Sequence, residues 1–170
     1  MNKKFENTNT IKFLKSFEGL ESLDSQECNL ALRCKFNFSY FDKNQENSGK
    51  ITDWTLDNIS DFFDKLIDYS TKSLAQLQQI GIGKNRQSLL SLYDSYPNHS
   101  KFLKPKNIPH QARWGRFRLD QNKRLIGFVV PDEYHGTRHE KTGMLYDKNT
   151  FYVVFIDNNH LFYPLKGKKK

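Results

Sequence analysis

Cysteine is nearly missing from this chain: Cys28 and Cys34 are the only two among 170 residues. Six residues of extended chain span about 20 Å, beyond the reach of a disulfide. The pair is therefore expected to serve as small buried hydrophobes. No run of eighteen apolar residues occurs, which argues against a membrane-spanning helix. The opening MNKKFENTNT lacks the apolar stretch of a secretion signal, so a soluble, cytoplasmic protein with no membrane partner is the expectation. Acidic charge is also scarce where it would matter most. Residues 101–130 hold one carboxylate, Asp120, against Lys101, Lys104, Lys106, Arg113, Arg116, Arg118, Lys123 and Arg124, which is +7 of a net +8. Such local basicity points first to a polyanionic partner.

Apolar residues make up only 36% of the chain, but fourteen Phe and eight Tyr are present. Large rings bury much area each, and 170 residues suffice for one real core. Three segments are expected: a 1–23 tail with a short helix, one domain over 24–165, and a polybasic tail over 166–170.

Thr10 reads as the cap of a short helix reaching Leu23. Leu30 to Phe41 alternates strictly (Leu30, Leu32, Cys34, Phe36, Phe38 and Tyr40 against polar neighbours) and reads as a long strand. Asp42 to Lys50 is a polar loop. A long helix opens at Thr52 or Thr55 and carries an apolar stripe from Trp54 to Ile80. Its Asp57, Asp61, Asp64 and Asp68 form a row on another side, read here as a solvated face. Gly81-Ile82-Gly83 would end that helix. GIGK is not a phosphate-cradling loop, because a helix precedes it and Asn85 follows the lysine. Arg86 to Asp94 reads as a second, shorter helix stopped before Pro97.

His99 to Pro109 is an extended connection. It leads into Ala112–Val130, two β-type runs split by Asp120, Gln121, Asn122 and Lys123, the pattern of a hairpin. Pro131 to Asn149 is a long loop, and Phe151 to Ile156 a further strand with a tight turn at Asp157–Asn159. His135 and His139 lie in that loop without helical patterning, so neither a metal nor a cofactor is expected. Helices in one block and antiparallel strands in another predict an α+β fold: a twisted antiparallel sheet packed on one face by a long and a shorter helix.

If helices cover one face, the other would present Arg33, Lys35, Arg116 and Arg118, with Trp114 for stacking and Lys104 and Lys106 nearby. Basic side chains interleaved with an aromatic suit single-stranded RNA, phosphates on guanidinium and bases on rings. A solvated sheet face is the plainer reading, although such faces usually mix both signs. His160, at a strand junction near Tyr163, is a candidate proton-transfer group. A turn histidine satisfied by Asp157 is its alternative.

The order of basic connection, GRFRLDQNKRLIGFVV hairpin and FYVVFIDNNHLFYP strand and turn resembles the C-terminal sheet of the RelE/ParE toxin superfamily. The resemblance implies a small α+β RelE-like fold and, in the RelE-like branch, ribosome-dependent mRNA cleavage by attack of the 2′-hydroxyl on the adjacent phosphate. Arg124 resembles the family's strand arginine, a transition-state stabiliser. His160 and Tyr163 are similar to the terminal His and Tyr of YoeB-like members, which serve as acid and base. Arg116 would join Arg124 on the phosphate, while Arg33, Lys35, Lys104, Lys106 and Arg118 would steer the backbone. A separately encoded antitoxin is the implied partner. The chain departs from the pattern in being longer, in carrying its first strand ahead of a long helix block, and in placing Asn159 and His160 where the family has an arginine. Two further readings stay open here: a noncatalytic nucleic-acid or protein binding module, and a ParE-like gyrase inhibitor.

Overall fold

The computed structural model describes residues 8–16, 22–83 and 86–164. The chain divides into two compact units, 1–31 and 32–170. In the first, helix α1 (Thr8–Lys15) ends where Ser16 turns back onto the Phe13 carbonyl oxygen. Residues 17–21 of the expected first helix lie outside the described residues, as does the 165–170 end.

The second unit is a mixed α+β fold built on a five-stranded sheet of order β1-β7-β6-β5-β4. Its strands are β1 (Lys35–Asn37), β4 (Leu90–Tyr93), β5 (Arg113–Arg118), β6 (Arg124–Val129) and β7 (Thr150–Asp157). A separate two-stranded ribbon joins β2 (Gly81–Ile82) to β3 (Gln87–Ser88). The β4–β5, β5–β6 and β6–β7 pairs are antiparallel, but β1 runs parallel to β7. The sheet is therefore mixed rather than wholly antiparallel.

The expected long first strand is much shorter. Leu30–Leu32 form one 3-10 turn, and only Lys35–Asn37 pair with Thr150–Tyr152. The Asn37 side chain accepts the Ser39 N–H and turns the backbone out of the ladder. The rest of that β7 edge is covered by a loop, through Asp42 N–H to Val154 O and Gly49 N–H to Ile156 O.

The expected long helix is two. Helix α2 (Leu56–Ser70) starts at Thr55, whose hydroxyl accepts the Asn58 N–H. It stops at Thr71, and Ser73 begins helix α3 (Leu74–Gln79) with a reciprocal Ser73–Gln76 capping box. The cap motif thus overrides the continuous apolar stripe.

Arg86 to Asp94 is not helical. Leu90, Ser91, Leu92 and Tyr93 pair with Phe117, Gly115 and their neighbours as β4. The LSLY alternation turns the buried Leu90 and the partly buried Leu92 to one side and leaves Ser91 and Tyr93 on the other.

Two cores flank the sheet. On one face Phe62, Leu66 and Tyr69 of α2 with Leu74 and Leu77 of α3 pack on Phe117, Leu125, Phe151, Val153 and Ile156. The opposite face is not open: Trp114, Ile126, Phe128 and Phe155 are roofed by Phe102, Ile108 and Phe162. Phe102 stacks on Phe155 at 4.3 Å, and Tyr96 meets Trp114 edge-on at 4.7 Å. Each such buried ring contributes about 1.5–3 kcal/mol. No helix among the described residues is long and apolar enough to cross a membrane.

Candidate anion site at the hairpin end of the sheet

Alternation along β5 puts Trp114, Arg116 and Arg118 on one face, opposite Phe128, Ile126 and Arg124 of β6. That face changes character along its length. At the Trp114 end it is aromatic and closed, leaving Trp114 only 2% exposed, where no base could stack on it. At the end towards the 119–123 turn it becomes cationic: Arg118 pairs with Arg124, which pairs in turn with Asp157.

The three arginines are held differently. Arg124 is 3% exposed, and its guanidinium donates to the turn carbonyls of Asp120 and Lys123 at 2.8 Å and Gln121 at 3.2 Å. Burial, with Arg118 and Arg116 adding repulsion, pulls it down to about 10, which leaves it charged at neutral pH. Arg116 is half-buried over the Tyr93 ring, 5.8 Å from its centroid. Arg118 reaches across the sheet to the Gln87 side-chain oxygen. Among the described residues no carboxylate lies within ion-pair distance of any of the three.

The turn that Arg124 clamps is fixed from inside by Asp120, which accepts the Asn122 and Lys123 N–H groups at 2.7 and 2.6 Å. Burial acts to raise the Asp120 carboxyl, but these donors and the Lys123 and Arg124 charges outweigh it and hold the group below its ordinary value.

Asp157 builds the second wall. Its carboxylate accepts the N–H groups of Asn159, Leu161 and Phe162 at 2.9, 3.1 and 2.8 Å. This coils the chain tightly enough to place His160 at φ 57°. His160 Nε2 lies 3.1 Å from the Gln121 carbonyl oxygen. A carbonyl can only accept, so Nε2 carries the hydrogen, and the neutral ring keeps its lone pair on Nδ1. Tyr163, 47% exposed, stacks on Tyr93 at 5.1 Å and 14°.

The sequence-derived residues therefore fall into separate groups. Arg118, Arg124 and His160 lie at the turn end of one face, whereas Arg116 and Tyr163 both flank Tyr93, the β4 residue opposite Trp114. Lys35 lies elsewhere, beside Thr150, seven residues along β7 from Asp157 and so about 23 Å away. It is engaged with Asp147 at 2.6 Å. Arg33 is two residues from that corner, not beside Arg118. Lys104 and Lys106 are exposed on the segment that roofs the aromatic end. Tyr93 was missed because its segment reads as helix; the LSLY alternation carried the signal. The roles of Gln121 O and Asp157 as mounts for His160 rest on backbone geometry.

No protein-family model, curated protein or solved structure matches this chain.

Proposed function

We propose that the chain is an RNA-binding protein of RelE-like type that cleaves RNA without a metal, using the cationic end of the sheet. The observation that carries this reading is the row Arg116, Arg118 and Arg124, without a carboxylate at ion-pair distance among the described residues, ending where His160 donates to the same Gln121 carbonyl as Arg124. The mixed α+β fold of the 32–170 unit, with two helices on one face of the sheet, also supports it.

In this reading Arg116 and Arg118 hold the scissile phosphate. Arg124 is a positioning residue: its hydrogen bonds go to the turn, and it contributes field from behind rather than a contact. His160 Nδ1 takes the 2′-hydroxyl proton, the 2′-oxygen bonds to phosphorus and the bond to the 5′-oxygen breaks. Tyr163 supplies the proton to that leaving oxygen. The products are a 2′,3′-cyclic phosphate and a 5′-hydroxyl. Lys104 and Lys106 steer the strand electrostatically. Ribosome-bound mRNA is the implied substrate and a separately encoded antitoxin the implied protein partner.

The test is incubation of the purified protein, alone and with programmed ribosomes, with end-labelled mRNA. Cyclic-phosphate ends that vanish with His160→Ala support the reading. RNA retained on the protein with intact ends leaves a binding module, and absence of RNA binding discards both.

A further inference from the structure

Helix α2 keeps a second apolar stripe outside the core. Leu56, Phe63 and Ile67 are 85, 56 and 65% exposed and recur at intervals of seven and four, so they share one side of the helix. Their side lies about 110° around the axis from the buried Phe62, Leu66 and Tyr69. Solvent-facing positions of a helix are usually polar, and a line of three large side chains there is the mark of an interaction surface.

The chemistry beside the stripe selects the occupant. Asp57, Asp61, Asp64 and Asp68 run along the adjoining side, about 110° further round. Asp68 is paired with Lys72, whereas Asp57, Asp61 and Asp64 make no ion pair among the described residues. Lys65, the one cation within the helix, points its ammonium at the Asp61 carbonyl on the far side of that row. In a protein of net charge +8, this face is acidic. It repels nucleic acid and anionic lipid alike. It also disfavours self-pairing: in an antiparallel two-fold pairing of α2 with its own copy, both aspartate rows come to the same edge and lie side by side. A stripe spanning twelve residues, about 16 Å, matches three turns of a partner helix.

We propose that the outer side of α2 docks a cationic amphipathic helix of a partner protein, its apolar side on Leu56, Phe63 and Ile67 and its lysines or arginines against Asp57, Asp61 and Asp64. Helices α2 and α3 pack on the sheet face opposite to Arg116 and Arg118, so this surface is independent of the anion site.

Two synthetic amphipathic helical peptides test it, alike in leucine pattern but flanked in one by lysines and in the other by glutamates. Fluorescence anisotropy with the full chain is expected to show binding of the lysine peptide and none of the glutamate peptide. Phe63→Ser and Ile67→Ser should each weaken it by about tenfold, and Asp61→Asn with Asp64→Asn should weaken it and flatten its salt dependence. All four positions are solvent-facing, so an unchanged melting temperature separates lost docking from lost fold. Equal affinity for both peptides, failure of the lysine peptide to bind, or indifference to Phe63→Ser overturns the proposal. So does a wild-type dimer in sedimentation that Phe63→Ser dissociates, which would make a second copy the occupant.

Discussion

Arg124 and His160 meet at one atom: the carbonyl oxygen of Gln121 accepts Nη2 of the arginine at 3.2 Å and Nε2 of the histidine at 3.1 Å. The 120–123 turn is thus a shared strut between a strand arginine and a loop histidine thirty-six residues later in the chain. Moving either side chain moves the other's support.

Arg124→Met keeps the stem buried and removes the clamp. Three turn carbonyls lose their donor, and the expected cost is about 2 kcal/mol. For a unit of this size that lowers the melting temperature by roughly 4–8 °C. Urea unfolding gives the same quantity as a lower midpoint with an unchanged slope. A change within about 0.5 kcal/mol would show that the turn holds without Arg124.

His160→Gly separates stability from chemistry. At φ 57° a side chain is strained and glycine is not, so the variant should be as stable as the parent or more so, by up to about 1 kcal/mol. RNA cleavage should be lost as fully as with His160→Ala. Retained cleavage in a well-folded glycine variant removes His160 from the mechanism.

Arg116→Gln and Arg118→Gln should act on binding and not on fold. Each contact with a single-stranded phosphate contributes about 0.7 to the slope of log K against log salt. Each variant should shallow that slope by about this amount. Lys35→Gln, whose ammonium is engaged by Asp147 some 23 Å off along the sheet, should leave the slope in place.

Cys34 should be chemically silent. Its thiol is buried, donates to the Tyr69 carbonyl at 3.4 Å, and is pushed up to about 11 by that burial despite Lys35 and Lys72 nearby. At pH 8 only about one molecule in a thousand holds the thiolate. A Cys28→Ser variant should resist aromatic disulfide reagents when folded and react at once in denaturant. Rapid labelling of the native variant would show that the 34–69 contact opens.

Gly127→Ala should abolish folding or come close to it. The new methyl group would overlap the Tyr152 carbonyl oxygen and sit 2.6 Å from a Phe151 ring carbon, at the register shift between β6 and β7. Overpacking of this kind costs about 1–3 kcal/mol where neighbours yield. Here backbone and a fully buried ring must both move. Soluble expression at the parent level would show that the bulge relaxes.

The parts of this fold legible in the sequence are those that carry their own punctuation. The β5–β6 hairpin is announced by DQNK between two β-type runs, and β7 by a continuous apolar run. Thr55 marks the start of α2 as its capping chemistry requires. What failed depended on partners. Leu30–Phe41 alternates well enough for a twelve-residue strand, yet β7 offers it only three pairing positions before a loop takes over that edge. Residues 86–94 hold a two-residue alternation that a short apolar run masks, and only β5 as neighbour decides it. Trp114 shares its face with Arg116 and Arg118, but a face is not one environment. Residues 96–108, distant in the strand pattern, roof one end and leave the other.

β7 sits second in the sheet, between β1 and β6, although among the described residues it is the last of seven strands in chain order. Until Thr150–Asp157 have left the ribosome, β1 has nothing to pair with, and β6 shows a bare apolar edge of Leu125, Ile126 and Phe128. Assembly of the sheet therefore waits for a keystone inserted late. A nascent chain halted short of residue 150 should be held by chaperones or lost to aggregation, rather than gather stability strand by strand as it emerges.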